Sequence, residues 1–149
     1  QWAKDGIPAE VIVDGINDMM AQQKIYFLVD TLEYLQKGGR IGGARALLGK
    51  MLNIKPILTM TDGEIDQFEQ ARTKKKAIAR LAALVTEQAE REGDPYVCVM
   101  HSDSPEDAET LIEIIRSELG IKTIPLYELP PAIVVHAGPG ALAVGFIGK

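Results

Sequence analysis

The sequence predicts an α/β fold: one domain, residues 1–149, with a mixed sheet and packed helices. Three observations favour this class. The 149 residues suit a single domain with a sizeable core. Apolar runs of strand length alternate with longer segments whose apolar residues recur at helical spacing. A composition of 46% hydrophobic and 25% charged residues is typical of a soluble globular protein.

The first quarter of the chain predicts two helices and a strand. A proline in the first turn and a broad apolar face predict a helix over residues 8–23. An apolar, aromatic run predicts a buried strand at 25–29. The capping-box pattern from Asp30 to Glu33 then predicts a short helix that ends at Gly38-Gly39.

A third helix and a hairpin are expected next. The helix covers residues 44–52 and turns four apolar residues to the core, namely Leu47, Leu48, Met51 and Leu52. The strands of the hairpin, 54–60 and 64–70, flank the turn at Asp62-Gly63, a pair that favours hairpins.

The second half predicts two amphipathic helices and four short strands. The longest helix covers residues 73–91 and stops before Gly93-Asp94-Pro95. Another begins with Ser104 as its N-cap and Pro105 in its first turn. The expected strands are 96–101, 122–129, 133–136 and 141–147.

Composition excludes several classes of function. A net charge of −5 argues against general nucleic-acid binding, which needs a basic surface. The single cysteine, Cys98, lies in an apolar run and predicts a buried, unreactive thiol. We find no signal peptide and no apolar run long enough to span a bilayer. A cytoplasmic protein with no stable membrane insertion is therefore expected.

Two glycine-containing stretches carry the candidate chemistry: KGGRIG at 37–42 and HAGPG at 136–140. Gly138 and Gly140 allow the backbone to approach a ligand closely. Arg40 offers a permanent charge and His136 a titratable one, so together they suit a small anion. Placed at the end of the predicted strand 133–136, His136 would face a crevice. Ordinary turns with soluble side chains remain the alternative.

Other polar groups allow further interpretations. His101, followed by Ser-Asp-Ser, permits a metal site or a Ser-His-Asp triad, although helix capping explains it more simply. A small α/β hydrolase using His136 or His101 as base is thus the alternative function. The basic run from Arg72 to Lys76 is either a solvated helix start or a surface for an acidic partner. A structural module without a ligand is the third possibility.

Five ordered segments resemble the DegV family of bacterial fatty-acid-binding proteins. The matching segments are FLVDTLEYLQKGGRI (27–41), LNIKPIL (52–58), DGE (62–64), RTKKKA (72–77) and HAGPGAL (136–142). The resemblance implies two α/β domains with one long-chain fatty acid between them. It also implies an ATP-binding fatty-acid kinase subunit as partner, which converts the bound acid to acyl phosphate.

The resemblance covers the C-terminal part of the family pattern. Since the sequence begins with Gln1 rather than Met, we expect residues 1–23 to form a helix at the junction with a missing N-terminal domain. That domain would supply hydroxyl groups to the carboxylate. Apolar surface left exposed at this junction would favour a homodimer of the isolated fragment.

Residue roles follow from the same resemblance. Arg40, His136, Gly138 and Gly140 would lie at the fatty-acid head group, and Arg72 at the surface that docks the kinase subunit. Ala137 departs from the family, which usually has threonine there, so one hydroxyl is lost. The bound fatty acid is then the ligand, with no metal or other cofactor and no catalysis by this chain alone.

Overall fold

The computed structural model describes residues 2–89 and 96–147, and it confirms a mixed α/β fold. The helices are α1 (Ala9–Gln22), α2 (Glu33–Lys37), α3 (Lys74–Gln88), α4 (Pro105–Leu119) and α5 (Pro131–Ala137), with a 3-10 helix at Gly42–Leu47. The strands are β1 (Gln23–Leu28), β2 (Lys55–Thr61), β3 (Glu64–Ala71), β4 (Val97–Ser102), β5 (Leu126–Glu128) and β6 (Ala141–Ile147).

These strands form one mixed sheet in the order β3-β2-β1-β6-β4-β5. The pairs are antiparallel except for β4 with β5, which is parallel. The predicted hairpin is confirmed, because β2 and β3 pair as far as Thr61 opposite Glu64. Its turn residues, Asp62 and Gly63, have positive φ values of 51° and 81°, as a tight hairpin turn requires.

One face of the sheet packs against α3 and α4. Side chains alternate between the two faces of a strand, and those of β1 and β6 on this face are buried: Tyr26, Leu28, Leu142, Val144 and Phe146. The predicted apolar stripe of α3 packs onto them through Ala77, Ile78, Leu81, Val85 and Ala89. The helix itself ends at Gln88, and the predicted stop at Gly93 lies outside the described residues.

The opposite face carries a second core beneath the short helices α2 and α5 and the 3-10 helix. Its buried residues are Val29, Leu32, Leu35, Ile41, Ala44, Leu47, Leu58, Ala137 and Ala141. Because these helical segments are only five to seven residues long, they cover part of the sheet and leave a cavity beside them.

The strand predicted at 133–136 is wrong, since these residues belong to helix α5. The β-branched run Ile-Val-Val favours a strand locally. Stronger signals flank it: Pro131 occupies the first turn, where its missing N–H breaks no bond, and Gly138 ends the helix with a φ of 76°. His136 therefore lies in the last turn of a helix and not at a strand end.

Three local predictions also need correction. Asp30 does not cap α2; instead Thr31 Oγ1 accepts a hydrogen bond from the backbone N–H of Glu33 at 3.2 Å. The helix predicted at 44–52 is the 3-10 helix followed by turns, and Leu52 is 96% exposed rather than in the core. The strand predicted at 122–129 shortens to β5, whose flanking prolines, at 125 and 130, cannot donate to a ladder.

Helix α1 confirms the predicted N-terminal helix, although none of its residues is buried. Its apolar residues Val11, Ile16 and Met20 are exposed. The ring of Trp2 lies over Gly15, where any Cβ would overlap it. Much of this apolar face is exposed, and its role at a domain junction remains a prediction.

Candidate ligand-binding site

A cavity of about 710 Å³ lies between the sheet and the short helical segments. Its sheet side is formed by four residues of β1 and β6: Ile25, Phe27, Ala141 and Ala143. Further apolar lining comes from Leu35, Met60, Ile65, Leu129, Ile133 and Ala137. The charged or titratable lining residues are Arg40, Glu64 and His136. A volume of several hundred Å³ with few polar groups is typical of a small-molecule site.

His136 is held at this cavity by contact with Gly38. The imidazole Nδ1 is buried and has no hydrogen-bond partner among the described residues. A Cβ on Gly38 would overlap Nδ1 and lie 2.8 Å from Cε1. Since Gly38 has an ordinary φ of −79°, glycine is required here for space rather than for backbone conformation.

Arg40 lines the same cavity as His136, so the structure brings these two predicted residues together. Its side chain is exposed, and Nη1 donates to the carbonyl oxygen of Gly38 at 3.3 Å. The backbone N–H of Arg40 donates to the carbonyl of Leu35 at 2.8 Å, and Gly39 turns the chain with a φ of 67°. One terminal nitrogen of the guanidinium is thus anchored to the backbone, and its other donors have no hydrogen bond among the described residues.

The next two glycines fix the Arg40 segment on strand β3. Gly42 has a φ of 46°, and a Cβ there would overlap the carbonyl oxygen of Ile65. A Cβ on Gly43 would overlap the carboxylate of Asp66. The missing side chains let this segment lie directly against the strand, which closes the cavity on the β3 side.

Gly138 and Gly140 shape the turn after α5 and do not line the cavity. Their φ values are 76° and 78°, in the region that favours glycine. A Cβ on Gly138 would overlap the ring of Tyr34, and one on Gly140 would overlap the carboxylate of Asp30. Protein groups therefore occupy the space that the sequence assigned to a ligand, and a ligand contact at these glycines remains a prediction.

An ion-pair network supports this turn from behind. Lys74 Nζ lies 3.3 Å from Asp30 Oδ1 and 2.8 Å from Asp107 Oδ2. Burial opposes the charge of Asp107, but hydrogen bonds from Lys74 and Ser104 outweigh it and lower the pKa of this carboxyl. Burial likewise opposes the charge of Lys74, yet its two carboxylate partners raise the pKa of the ammonium group. The network connects the chain after β1 to the starts of α3 and α4.

Comparison with known proteins identifies the family. A sequence profile described as "Uncharacterised protein, DegV family" matches residues 1–149. The chain belongs to the DegV family. A DegV domain-containing protein of Clostridium acetobutylicum is 36% identical over 144 residues, which cover 97% of this chain and 50% of the relative.

Solved DegV structures share the fold. A fatty acid binding DegV family protein from Streptococcus agalactiae superimposes with a TM-score of 0.84 at 31% identity, covering 99% of this chain and 52% of that one. For a DegV family protein from Thermus thermophilus, described by its fatty acid binding, the TM-score is 0.87 at 29% identity, covering 99% and 53%. The chain thus spans about half the length of these DegV relatives.

His101 has a structural role in this DegV chain. It is buried, and its Nδ1 accepts a hydrogen bond from the backbone N–H of Ser104 at 3.3 Å. The hydroxyl of Ser104 donates to Asp107 Oδ2 at 2.7 Å and not to the imidazole. Ser104 is the N-cap of α4 by position, as predicted, while its own backbone N–H is bonded to the imidazole of His101. The Ser-His-Asp triad left open by the sequence is therefore not formed.

The remaining candidates lie away from the cavity lining. Arg72 is exposed between β3 and α3, beside the exposed Lys75 and Lys76, whereas Lys74 is engaged in the ion-pair network. Cys98 is half-buried rather than buried as predicted, and this burial raises the pKa of its thiol despite a hydrogen bond with the backbone of Gly145. No helix among the described residues is long and apolar enough to cross a membrane.

Sequence reasoning missed the residues that form the cavity walls. The sequence predicts Ile25, Phe27 and Ala143 only as strand residues. In β6, small residues alternate with larger ones, and this pattern indicates that one face of the strand leaves space above it. Tyr34 was also missed, because only the fold shows that its ring packs on Gly138.

Proposed function

We propose that this chain binds a long-chain fatty acid in the cavity beside α5, with the carboxylate held by Arg40 and His136. The observation that carries the proposal is a largely apolar cavity of about 710 Å³ whose lining brings together these two donors. Because Nδ1 of His136 is enclosed against Gly38, the proposal assigns the contact with the carboxylate to Nε2. Glu64, also in the lining, would repel a carboxylate and direct it toward Arg40.

Burial of the alkyl chain supplies the affinity in this proposal. Each methylene removed from water contributes about 0.8 kcal/mol. The head group then needs a few convergent donors to compensate for the loss of hydration. Ala137 lines the cavity at the position where the resemblance implies threonine, so the head group relies on Arg40, His136 and groups beyond this chain.

The finer proposal is that the bound acid is presented to an ATP-binding kinase subunit. A carboxylate oxygen would attack the γ-phosphorus of ATP, which releases ADP and forms acyl phosphate. The largely apolar lining with Arg40 and His136 offers the donors that a carrier of a carboxylate needs. The exposed cations at Arg72, Lys75 and Lys76 are the proposed docking surface for the kinase subunit. Because the proposed reaction uses ATP, we place it in the cytoplasm.

The test is extraction of lipid from the purified full-length protein, followed by mass spectrometry. We expect a stoichiometric long-chain fatty acid in the native protein, and reduced retention in Arg40→Ala and His136→Ala. Arg45→Ala is the matched control, because Arg45 is exposed on the 3-10 helix and does not line the cavity. Native protein that remains lipid-free after incubation with oleate and palmitate would overturn the proposal.

A further inference from the structure

The cavity follows strand β6 toward Gly145, and Ile25, the β1 partner of Gly145, belongs to its lining. Its lining includes Ala141 and Ala143 of β6 but not Gly145, the next residue on the same face. A Cβ placed on Gly145 would lie 3.6 Å from Met100 Cε and 3.5 Å from Cys98 Sγ. These two side chains therefore lie over the end of the strand, in ordinary contact distance of its backbone.

The sheet register places β6 at the bottom of a trough. On the cavity face Ala143 pairs with Phe27 of β1 on one side and with Met100 of β4 on the other. In the next row Gly145 pairs with Ile25 and Cys98. Larger side chains therefore stand on both flanks of a strand that presents only methyl groups and a glycine.

The trough has the width of one alkyl chain. Neighbouring strands lie about 4.8 Å apart, so β1 and β4 are separated by roughly 10 Å across β6. From Ala141 to Gly145 the strand extends about 14 Å. The first two small residues on this path face the cavity, and Met100 and Cys98 together lie over the third. Methionine is unbranched and has several rotatable bonds, so its end moves more readily than that of a β-branched residue.

We propose, on the basis of the proposed fatty-acid site, that this trough measures acyl length: Ala143 is its floor and Met100 is a movable stop for the chain terminus. Removing the stop opens the path toward Gly145, and enlarging the floor shortens the path. Met100 and Ala143 are thus specificity residues, whereas Arg40 and His136 serve acids of any length.

The experiment is competition between saturated fatty acids of graded length for the full-length protein. Met100→Ala is expected to shift the preference to longer acids, with about a fourfold gain in affinity for each methylene that enters the opened path. Ala143→Leu is expected to shift it to shorter acids. Val135→Ala, on the exposed side of α5, is the control and keeps the native ranking.

A second variant separates the end stop from a loss of packing. Gly145→Ala adds one methyl at ordinary contact distance from Met100 and Cys98, so it fits the native fold. Combined with Met100→Ala it partly refills the opened path, and we expect it to reverse part of the lengthening. Binding with an unchanged length ranking in Met100→Ala and Ala143→Leu would overturn the inference alone. Native protein that binds no acid of any length would overturn the proposed function beneath it.

Discussion

At the scale of single residues, the lack of a side chain at Gly38 leaves space for the imidazole of His136, a candidate binding residue. The imidazole of His136 occupies the space that a Cβ on Gly38 would need. Among the described residues its enclosed Nδ1 has no hydrogen-bond partner, an arrangement that costs stability. The contact with Gly38 restricts the orientation of the ring, which lines the cavity.

Gly38→Ala is expected to lower the free energy of unfolding by roughly 1–3 kcal/mol, the usual cost of overpacking. The φ of −79° at Gly38 suits alanine, but the added Cβ would also lie 3.1 Å from the carbonyl oxygen of Tyr34, a smaller source of crowding. Urea denaturation measures the change. In the His136→Ala background the ring is gone and the added methyl should cost less, because only the contact with the carbonyl oxygen of Tyr34 remains. Equal losses in both backgrounds would show that the two residues are not coupled.

The arginine and histidine of the site were predictable from the sequence because each lies in a short glycine-rich segment. The contacts that orient them were not. Gly38 and His136 are far apart in the chain, and only the packing of α2 against α5 brings them together. For the same reason the sequence does not show that Gly138 faces the ring of Tyr34 and Gly140 the carboxylate of Asp30. The ligand contact expected at these two glycines remains a prediction.

At the scale of elements, local signals predicted the hairpin and the long helices well. Asp62-Gly63 determines a turn within two residues, and the stripe of α3 repeats over four turns. Helix α5 was missed because its β-branched residues favour a strand, while a proline start and a glycine end decide for a helix. Two apolar residues of α5, Ile133 and Val135, are exposed, so this segment is not buried as the predicted apolar strand would be.

The ion-pair network joins elements and makes their packing depend on pH. Asp107 has a lowered pKa in the folded protein, so its charge stabilises the fold above the pKa of the unfolded chain. That contribution is lost as the pH falls below about 4. Lys74 has a raised pKa, so its contribution is complete at neutral pH and is lost only in strong alkali.

Lys74→Met should therefore flatten the acid side of the stability profile. We expect a loss of about 0.2–1 kcal/mol at pH 7, the usual range for a partly exposed pair, and a smaller difference from the native protein near pH 3. The free energy of unfolding measured across this range gives the result. Lys75→Met, at an exposed neighbouring position, is the control. A Lys74→Met deficit that stays constant from pH 7 to pH 3 would exclude electrostatics as its source.

At the scale of the whole molecule, the sheet separates the larger core from the candidate site. The larger core lies under α3 and α4, while the cavity opens on the other face beside the short helices. Alternation along β1 and β6 sends successive side chains to opposite faces. Changes at Arg40 and His136 can therefore alter the site without disturbing the main core. The position of this chain within the longer relatives, and dimerisation of the fragment, remain predictions.

The proposed docking surface is separate from the proposed lipid site, so the two functions should be separable by mutation. Arg72 is exposed before α3 and does not line the cavity. Arg72→Glu in the full-length protein is expected to lower acyl phosphate formation by the kinase subunit at least tenfold, because reversal of a docking charge opposes association. The lipid content of the purified variant should equal that of the native protein.

Arg116→Glu provides the charge-matched control, since Arg116 is exposed in the last turn of α4. Raising the concentration of the kinase subunit should restore much of the activity of Arg72→Glu, because weakened docking is overcome by mass action. It should restore little for Arg40→Ala or His136→Ala, which retain less of the bound acid. If Arg72→Glu instead lost its lipid, or kept full activity at low kinase concentration, Arg72 would not be a docking residue.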